Sequence, residues 1–277
     1  MKIQVVLSGY GTVGREFIKL LNEKHLSINE TYGINLVVSG VLGRNVAIHN
    51  EEGLSIHHLL KCGSGTAAIE KYLEHYQKER ATNSISGTVL VESTVTNLKS
   101  GNPGKQYMEQ AIEKQMDIVA ISKGALVTNW REINEAAKQA NVRIRYSGAT
   151  AAALPTLDIG QFSLAGCSIE KIEGILNGTT NYILSKMYEL DMKFEEALQE
   201  AQNKGIAETD PILDVSGSDS ACKLLLLTNS LMGVENTLTD IHIKGIEHVT
   251  REQIRNAKEQ HKIVKLIASA IRMKKVM

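Results

Sequence analysis

Proline, cysteine and net charge are all scarce in this chain, and each scarcity excludes something. Only three prolines occur in 277 residues, Pro103, Pro155 and Pro211, and each falls between patterned segments, where a loop is expected. Thirty-one Lys+Arg balance thirty-one Asp+Glu. A protein that grips nucleic acid by neutralising phosphates needs a basic excess, so that partner class is set aside. No apolar run approaches the about 18 residues of a membrane span. The opening MKIQVVLSGYG reads as a strand and a tight turn, without the charged flank and apolar core of a secretory signal. Cys62, Cys167 and Cys222 form an odd set without a CxxC, which argues against a disulfide framework and for a reducing compartment. A cytoplasmic globular protein, with neither membrane nor nucleic acid as partner, is the expectation.

What is present is enough to build a core. Apolar residues make up 43% of the chain and charged residues 22%, and 277 residues correspond to about two domains. Strand-length apolar runs at Ile3–Leu7, Asn35–Leu42, Thr88–Val91, Asp117–Ile121 and Val142–Tyr146 alternate with helical patterns. The helical patterns cover Thr12–Glu23, Thr66–Gln77, Lys105–Lys114 and Trp130–Ala140. Such alternation marks βαβ units around a parallel sheet. After residue 147 the rhythm changes. A small-residue turn, Ser147–Pro155, precedes a segment around Ser168–Leu176, helical patterns at Tyr182–Glu189 and Phe194–Lys204, a polar loop at Glu208–Asp219, and a helix at Ser220–Met232. The expected architecture is α/β, with a Rossmann-like domain over 1–147 and a second α/β domain over 148–277.

The first strand runs into Gly9-Tyr10-Gly11-Thr12-Val13-Gly14, a GxGxxG turn. Gly9 permits the tight turn, Gly11 lets backbone approach a pyrophosphate, and Gly14 lets the helix pack closely on the strand. The helix start then offers free N–H groups to phosphate. Its place after a strand, before an amphipathic helix and at the head of a βαβ pattern points to dinucleotide binding. At the end of the second strand an acid would favour NAD. Here the run is Val41-Leu42-Gly43-Arg44-Asn45, and Arg44, joined by Lys61, leans toward the 2′-phosphate of NADP, with NAD still possible.

Four later segments concentrate polar groups. Lys123 directly follows an apolar strand, at the edge where doubly wound folds bind ligands. Asn177-Gly178-Thr179-Thr180 is a hydroxyl-rich turn, and Glu208, Asp210 and Asp214 crowd the loop before the last long helix. Asp219 and Lys223, four residues apart at that helix's start, share one face. The pair is either an ordinary helix ion pair or a proton-transfer group beside the Leu224–Leu227 run.

Six pieces then stand out together: GYGTVG, TNLKSGNPGKQY, SKGAL, YSGATAAALP, GILNGTTNYIL and GIAETDPILDVSGSDSACK. With them the chain resembles the homoserine dehydrogenase family over nearly its whole length. The resemblance implies a dinucleotide domain joined to a catalytic and dimerisation domain. It also implies NAD(P)-dependent interconversion of L-homoserine and L-aspartate 4-semialdehyde, in threonine, methionine and isoleucine biosynthesis. On this basis Gly9, Gly11, Thr12, Val13 and Gly14 are expected at the pyrophosphate. Ser93, Thr94 and Lys123 belong on the nicotinamide side, and Gly205 also approaches the cofactor. Thr179, Glu208, Asp214 and Asp219 are expected to bind the amino-acid substrate. Lys223 would transfer the proton, and Lys123 would help polarise the aldehyde oxygen. A homodimer through the second domain is expected.

Several positions depart from the family pattern. Ser122 stands where Asn is frequent before the strand-end lysine, and Ile206 stands where Tyr is frequent. Ser147, Ala151 and Ala153 replace a glutamate and two glycines of a turn that binds a monovalent cation in some members. His57-His58 has no third ligand at metal spacing, so no metal site is expected. Cys222 is expected to be a buried structural cysteine. Trp130 and Lys258–Lys262 read as helix surface. Set against the family pattern, the sequence is expected to fall several dozen residues short of the usual family end, and no regulatory domain is expected. That shortening keeps an alternative in view, a catalytically impaired homologue that binds NADPH.

Overall fold

The computed structural model describes residues 1–76 and 85–273, and the chain divides into two compact units, Met1–Ala152 and Ala153–Met277. The first unit is built on β1 (Lys2–Ser8), β2 (Asn35–Leu42), β3 (Ala47–His49), β4 (Val89–Glu92), β5 (Asp117–Ala120) and β6 (Ile144–Arg145). These strands form one sheet in the order β3-β2-β1-β4-β5-β6. All pairs are parallel except β2–β3, a short antiparallel edge. Val5, Val6, Leu7, Val41, Leu90 and Val91 are buried. Such near-continuous apolar strands suit a sheet covered on both faces.

Helices α1 (Thr12–Tyr32), α2 (Ile56–Lys61), α3 (Gly65–Tyr76), α4 (Gly104–Glu113), α5 (Gly124–Thr128), α6 (Trp130–Gln139) and α7 (Ser147–Ala151) supply the covering layers. Ile18 and Leu21 of α1, Leu59 of α2, and Ala68, Ile69 and Tyr72 of α3 pack with β1 and β2 in one core. Strand and helix bounds fall within a few residues of those read from the sequence, with one large exception. Helix α1 continues nine residues beyond Glu23, through a polar stretch with no apolar stripe, until Gly33 takes a left-handed φ of 64° and its N–H bonds Asn29 O. Residue 77, at the end of the second helical pattern, lies outside the described residues. Trp130 is half-buried rather than plain surface, edge-on to Tyr146 with ring centroids 5.6 Å apart.

The second unit opens with α8 (Thr156–Asp158), which widens into a π-helical turn over Ile159–Ser163. There follow β7 (Lys171–Gly174), α9 (Gly178–Leu190), α10 (Phe194–Asn203), α11 (Ile212–Val215), α12 (Ser218–Met232), α13 (Arg251–Glu259) and β8 (Ala268–Ile271). Strands β7 and β8 pair antiparallel, Lys171 opposite Ile271 and Gly174 opposite Ala268. Ile183, Leu184 and Met187 of α9 pack with Ala197 and Ala201 of α10, Val215 of α11 and Ile254 of α13. In α12 every residue from Ser220 to Asn229 except Lys223 is buried. A helix buried nearly all round is a core helix, and its charged residues, Asp219 and Lys223, both lie in its first two turns. Cys222 is fully buried, as its sequence position suggested, and Cys62 and Cys167 are also free thiols. Among the described residues no helix is long and apolar enough to cross a membrane.

Candidate active site

In the first unit the turn after β1 is shaped by two contacts that leave no space for a side chain. Gly9 has a φ of +87°, and a Cβ there would lie 2.6 Å from Ser93 O. A Cβ on Gly14 would lie 2.3 Å from Gly9 O. Around Gly11, by contrast, nothing stands within 4 Å of the Cβ position, so backbone is bared on that side. Gly11 is also the N-cap of α1, with no side-chain cap and no acid in the first turn. The first N–H groups of the helix and its positive dipole end are therefore left for an anion.

These glycines open onto a cleft of about 820 Å³ lined by Gly9, Tyr10, Gly11, Arg44, Ser93 and Thr94 and closed by Asn102, Pro103 and Tyr107. Ser93 is fixed there by its own hydrogen bonds, Oγ donating to Gly9 O (2.8 Å) and Ser8 O (3.1 Å). Tyr10 is 2% exposed and donates to Leu59 O at 3.2 Å. Burial pushes its phenol up to about 12, against a partial opposing pull from Arg15, so this wall of the cleft stays neutral. The donor set, the bared Gly11 backbone and the room fit a dinucleotide. Thr12, Val13 and Gly14 open α1 and are outside the cleft lining. Lys61 is exposed at the end of α2 and does not line the cleft. Lys123 is half-buried at the N-cap of α5, also outside the lining.

The second unit gathers its charges around Asn177. The N–H of Thr180 can only donate, and it bonds Asn177 Oδ1 at 2.8 Å, capping α9. That fixes the amide so that Nδ2 faces acceptors, Asp214 Oδ1 at 2.6 Å and Asp219 Oδ2 at 3.0 Å. The same Asp219 oxygen lies 2.7 Å from Lys223 Nζ, which also donates to Leu176 O at 2.8 Å. Asp219 is 11% exposed and Lys223 22%, so the pair is largely screened from water yet reachable at the open end of α12. One asparagine thus uses its oxygen and both amide hydrogens to join α9, α11 and α12. Thr179 donates to Ile206 O at 3.1 Å and ties the start of α9 to the loop carrying Gly205 and Glu208. Gly205 takes a φ of +68° where α10 ends, and Glu208 is exposed beyond it.

The sequence reading brought Asp214, Asp219 and Lys223 forward but gave no role to Asn177 or to Glu92. An Asn just before a helical run is an N-cap signal. That its amide would also reach residues 37 and 42 positions away has no local signature. His58 packs against the Tyr72 and His75 rings at 5.6 and 5.0 Å. Among the described residues no three His, Cys, Asp or Glu side chains gather to hold a metal ion.

Comparison with known proteins now bears on this arrangement. Residues 9–147 match the homoserine dehydrogenase NAD-binding domain, and residues 155–277 match the homoserine dehydrogenase domain. The chain belongs to the homoserine dehydrogenase family. It is thereby one of a family of oxidoreductases acting on CH–OH groups. It is 34% identical to the homoserine dehydrogenase of Methanocaldococcus jannaschii over 96% of this chain and 80% of that one. It is 30% identical to the NAD(+)-dependent homoserine dehydrogenase of Pseudomonas canavaninivorans over 97% and 77%. A putative homoserine dehydrogenase structure from Archaeoglobus fulgidus superposes with a TM-score of 0.84 at 29% identity, covering 98% of this chain and 81% of its own. The chain thus spans about four-fifths of these relatives' length.

Proposed function

We propose that this member of the homoserine dehydrogenase family interconverts L-homoserine and L-aspartate 4-semialdehyde, in the biosynthesis of threonine, methionine and isoleucine, with NADP preferred over NAD. The observation that carries the reading is the Asp219–Lys223 pair, held by Asn177 and Leu176 O at the open end of an otherwise buried helix. The bound dinucleotide supplies the hydride chemistry.

Residues 1–147 are the dinucleotide-binding domain and residues 148–277 the substrate-binding, catalytic and dimerisation domain. Gly9, Gly11 and the turn Thr12–Gly14 face the pyrophosphate, Ser93, Thr94 and Lys123 serve the nicotinamide side, and Gly205 also approaches the cofactor. Arg44, exposed at the turn after β2 and lining the cleft, gives the 2′-phosphate a planar, permanently charged donor. Lys61, being off the cleft wall, contributes at most a distant charge. In homoserine oxidation the neutral amine form of Lys223 takes the proton of the substrate hydroxyl as hydride leaves the carbon bearing that oxygen, and in the reverse direction the ammonium form returns a proton to the carbonyl oxygen. Asp219 holds its Nζ in place. Lys123 polarises the same oxygen. Thr179, Glu208 and Asp214, with Asp219, bind the substrate, the carboxylates gripping its ammonium.

Ile271 of β8 and Ile175 and Ile267, which flank the two strands, are exposed, apolar side chains suited to a second copy of the chain, and the active form we assign is a homodimer. Three cysteines without a disulfide suit a cytoplasmic enzyme.

The test is oxidation of L-homoserine by the purified protein, with formation of reduced nicotinamide followed in parallel with NADP+ and NAD+. Turnover with both, faster at low concentration with NADP+, is the expected result. NADPH binding without turnover of homoserine would replace this reading by that of a binding homologue without the activity.

A further inference from the structure

Glu92 closes β4 with its side chain fully buried. A carboxylate in that position is costly unless donors surround it, and here they do. Oε1 accepts from the Thr94 N–H at 2.8 Å and from the Thr94 hydroxyl. Oε2 accepts from Ser122 Oγ at 2.6 Å. A Cβ on Gly104 would stand 3.1 Å from Oε1, so the carboxylate also lies against the first turn of the ten-residue helix α4, whose N-terminal end is partially positive. The backbone of the same residue joins in, since Glu92 O accepts from Ile121 N at 2.7 Å.

One buried side chain therefore hydrogen-bonds Thr94 and Ser122 and lies against the start of α4. Thr94 lines the cleft, Asn102 and Pro103 line it just before α4, and Ser122 precedes Lys123 at the end of β5. The position where the family often has asparagine holds serine here. A hydroxyl of that length completes the contact only because Glu92 comes within 2.6 Å of it.

We infer that Glu92 is a positioning residue for the nicotinamide side of the cofactor cleft, setting the separation of Thr94 from the Ser122–Lys123 segment through its two carboxylate oxygens. The inference rests on the dinucleotide part of the function proposed above and not on the homoserine chemistry. Losing the clamp should loosen cofactor binding and orientation while the amino-acid groups of the second unit are left alone.

The experiment measures NADPH binding by fluorescence, melting temperature, and the separate KM values of dinucleotide and homoserine for E92A, E92Q, S122A and the E92A/S122A pair. E92Q keeps the shape, its carbonyl oxygen accepting from Thr94 and its amide donating to Ser122, so NADPH binding within about threefold of wild type is expected. E92A is expected to weaken NADPH binding about tenfold or more and S122A several-fold, with homoserine KM unchanged. The pair should be no weaker than E92A alone, because both changes break one contact. E92A that binds NADPH like wild type overturns the inference, as do E92Q as weak as E92A or effects that simply add in the pair. If E92A does not fold, S122A decides alone, and wild-type NADPH affinity in S122A overturns it. Wild-type protein that binds NADPH but does not oxidise homoserine removes the proposed activity and leaves this test standing.

Discussion

Around the first unit's cleft the polar groups include backbone N–H groups, hydroxyls and a carboxylate turned inward, with Arg44 exposed on the rim, whereas the second unit gathers two carboxylates and an ammonium around one asparagine. On the proposed function, the difference follows from what each has to recognise. A dinucleotide is long and already charged, so a glycine turn that bares backbone and a helix end with unused N–H groups meet it without a buried cation. An amino acid is small and carries both signs, so side-chain charges of both signs must be held still a few ångströms apart. Holding like charges together requires a neutral donor between them, which is the place of Asn177. In the first unit steric exclusion fixes the geometry; in the second a hydrogen-bonded network does.

That contrast is open to attack from both sides. N177D keeps the cap acceptor for Thr180 but sets a third carboxylate beside Asp214 and Asp219. We expect kcat/KM for homoserine to fall by about a hundredfold, roughly 2.7 kcal/mol, with NADPH affinity intact. Retained kcat/KM would show that charge balance does not govern the second unit. G14A tests the steric half. Its Cβ would lie 2.3 Å from Gly9 O, and crowding of that kind costs about 1–3 kcal/mol, visible as a lower denaturation midpoint and weaker NADPH binding.

Tyr10 gives a smaller, pH-dependent effect. Its phenol is pushed up to about 12 in the fold by burial, so above pH 10 the unfolded chain loses this proton first. The native state then binds one proton more than the unfolded state, and stability falls as pH rises from about 10 to 12, by roughly 1.4 kcal/mol at pH 11. Denaturation of Y10F over that range should lack this component of the decline, and an identical decline would contradict the assignment. The smallest effect is at Arg44, exposed on the cleft rim. R44D should raise the NADP+ KM about fivefold and leave NAD+ within twofold. Equal changes would remove the cofactor preference.

The two regions were also unequally legible in the sequence. GxGxxG and the alternating runs announced the first unit, because its constraints are local: a turn, a helix start, a strand period. Edge strand β3 escaped, since three residues at Ala47–His49 carry no period of their own. Helix α1 was cut short because its last turns bury little, and its end is written only in Gly33. In the second unit Asp219 and Lys223 were visible as an i,i+4 pair, yet nothing in the pattern separated an ordinary ion pair from a site. What separates them is Asn177, Asp214 and Leu176 O, brought in from distant positions. Glu92 escaped for the same reason, since its partner Ser122 lies 30 residues on.

The most direct test of the account is to replace Lys223 with alanine and measure homoserine oxidation and NADPH binding on the same preparation. The account predicts a loss of about 10²–10⁴-fold in kcat, the range a positioned proton-transfer group contributes, with NADPH affinity within twofold of wild type. Oxidation near the wild-type rate in K223A would contradict the assignment of Lys223 and, with it, the reading of the second unit.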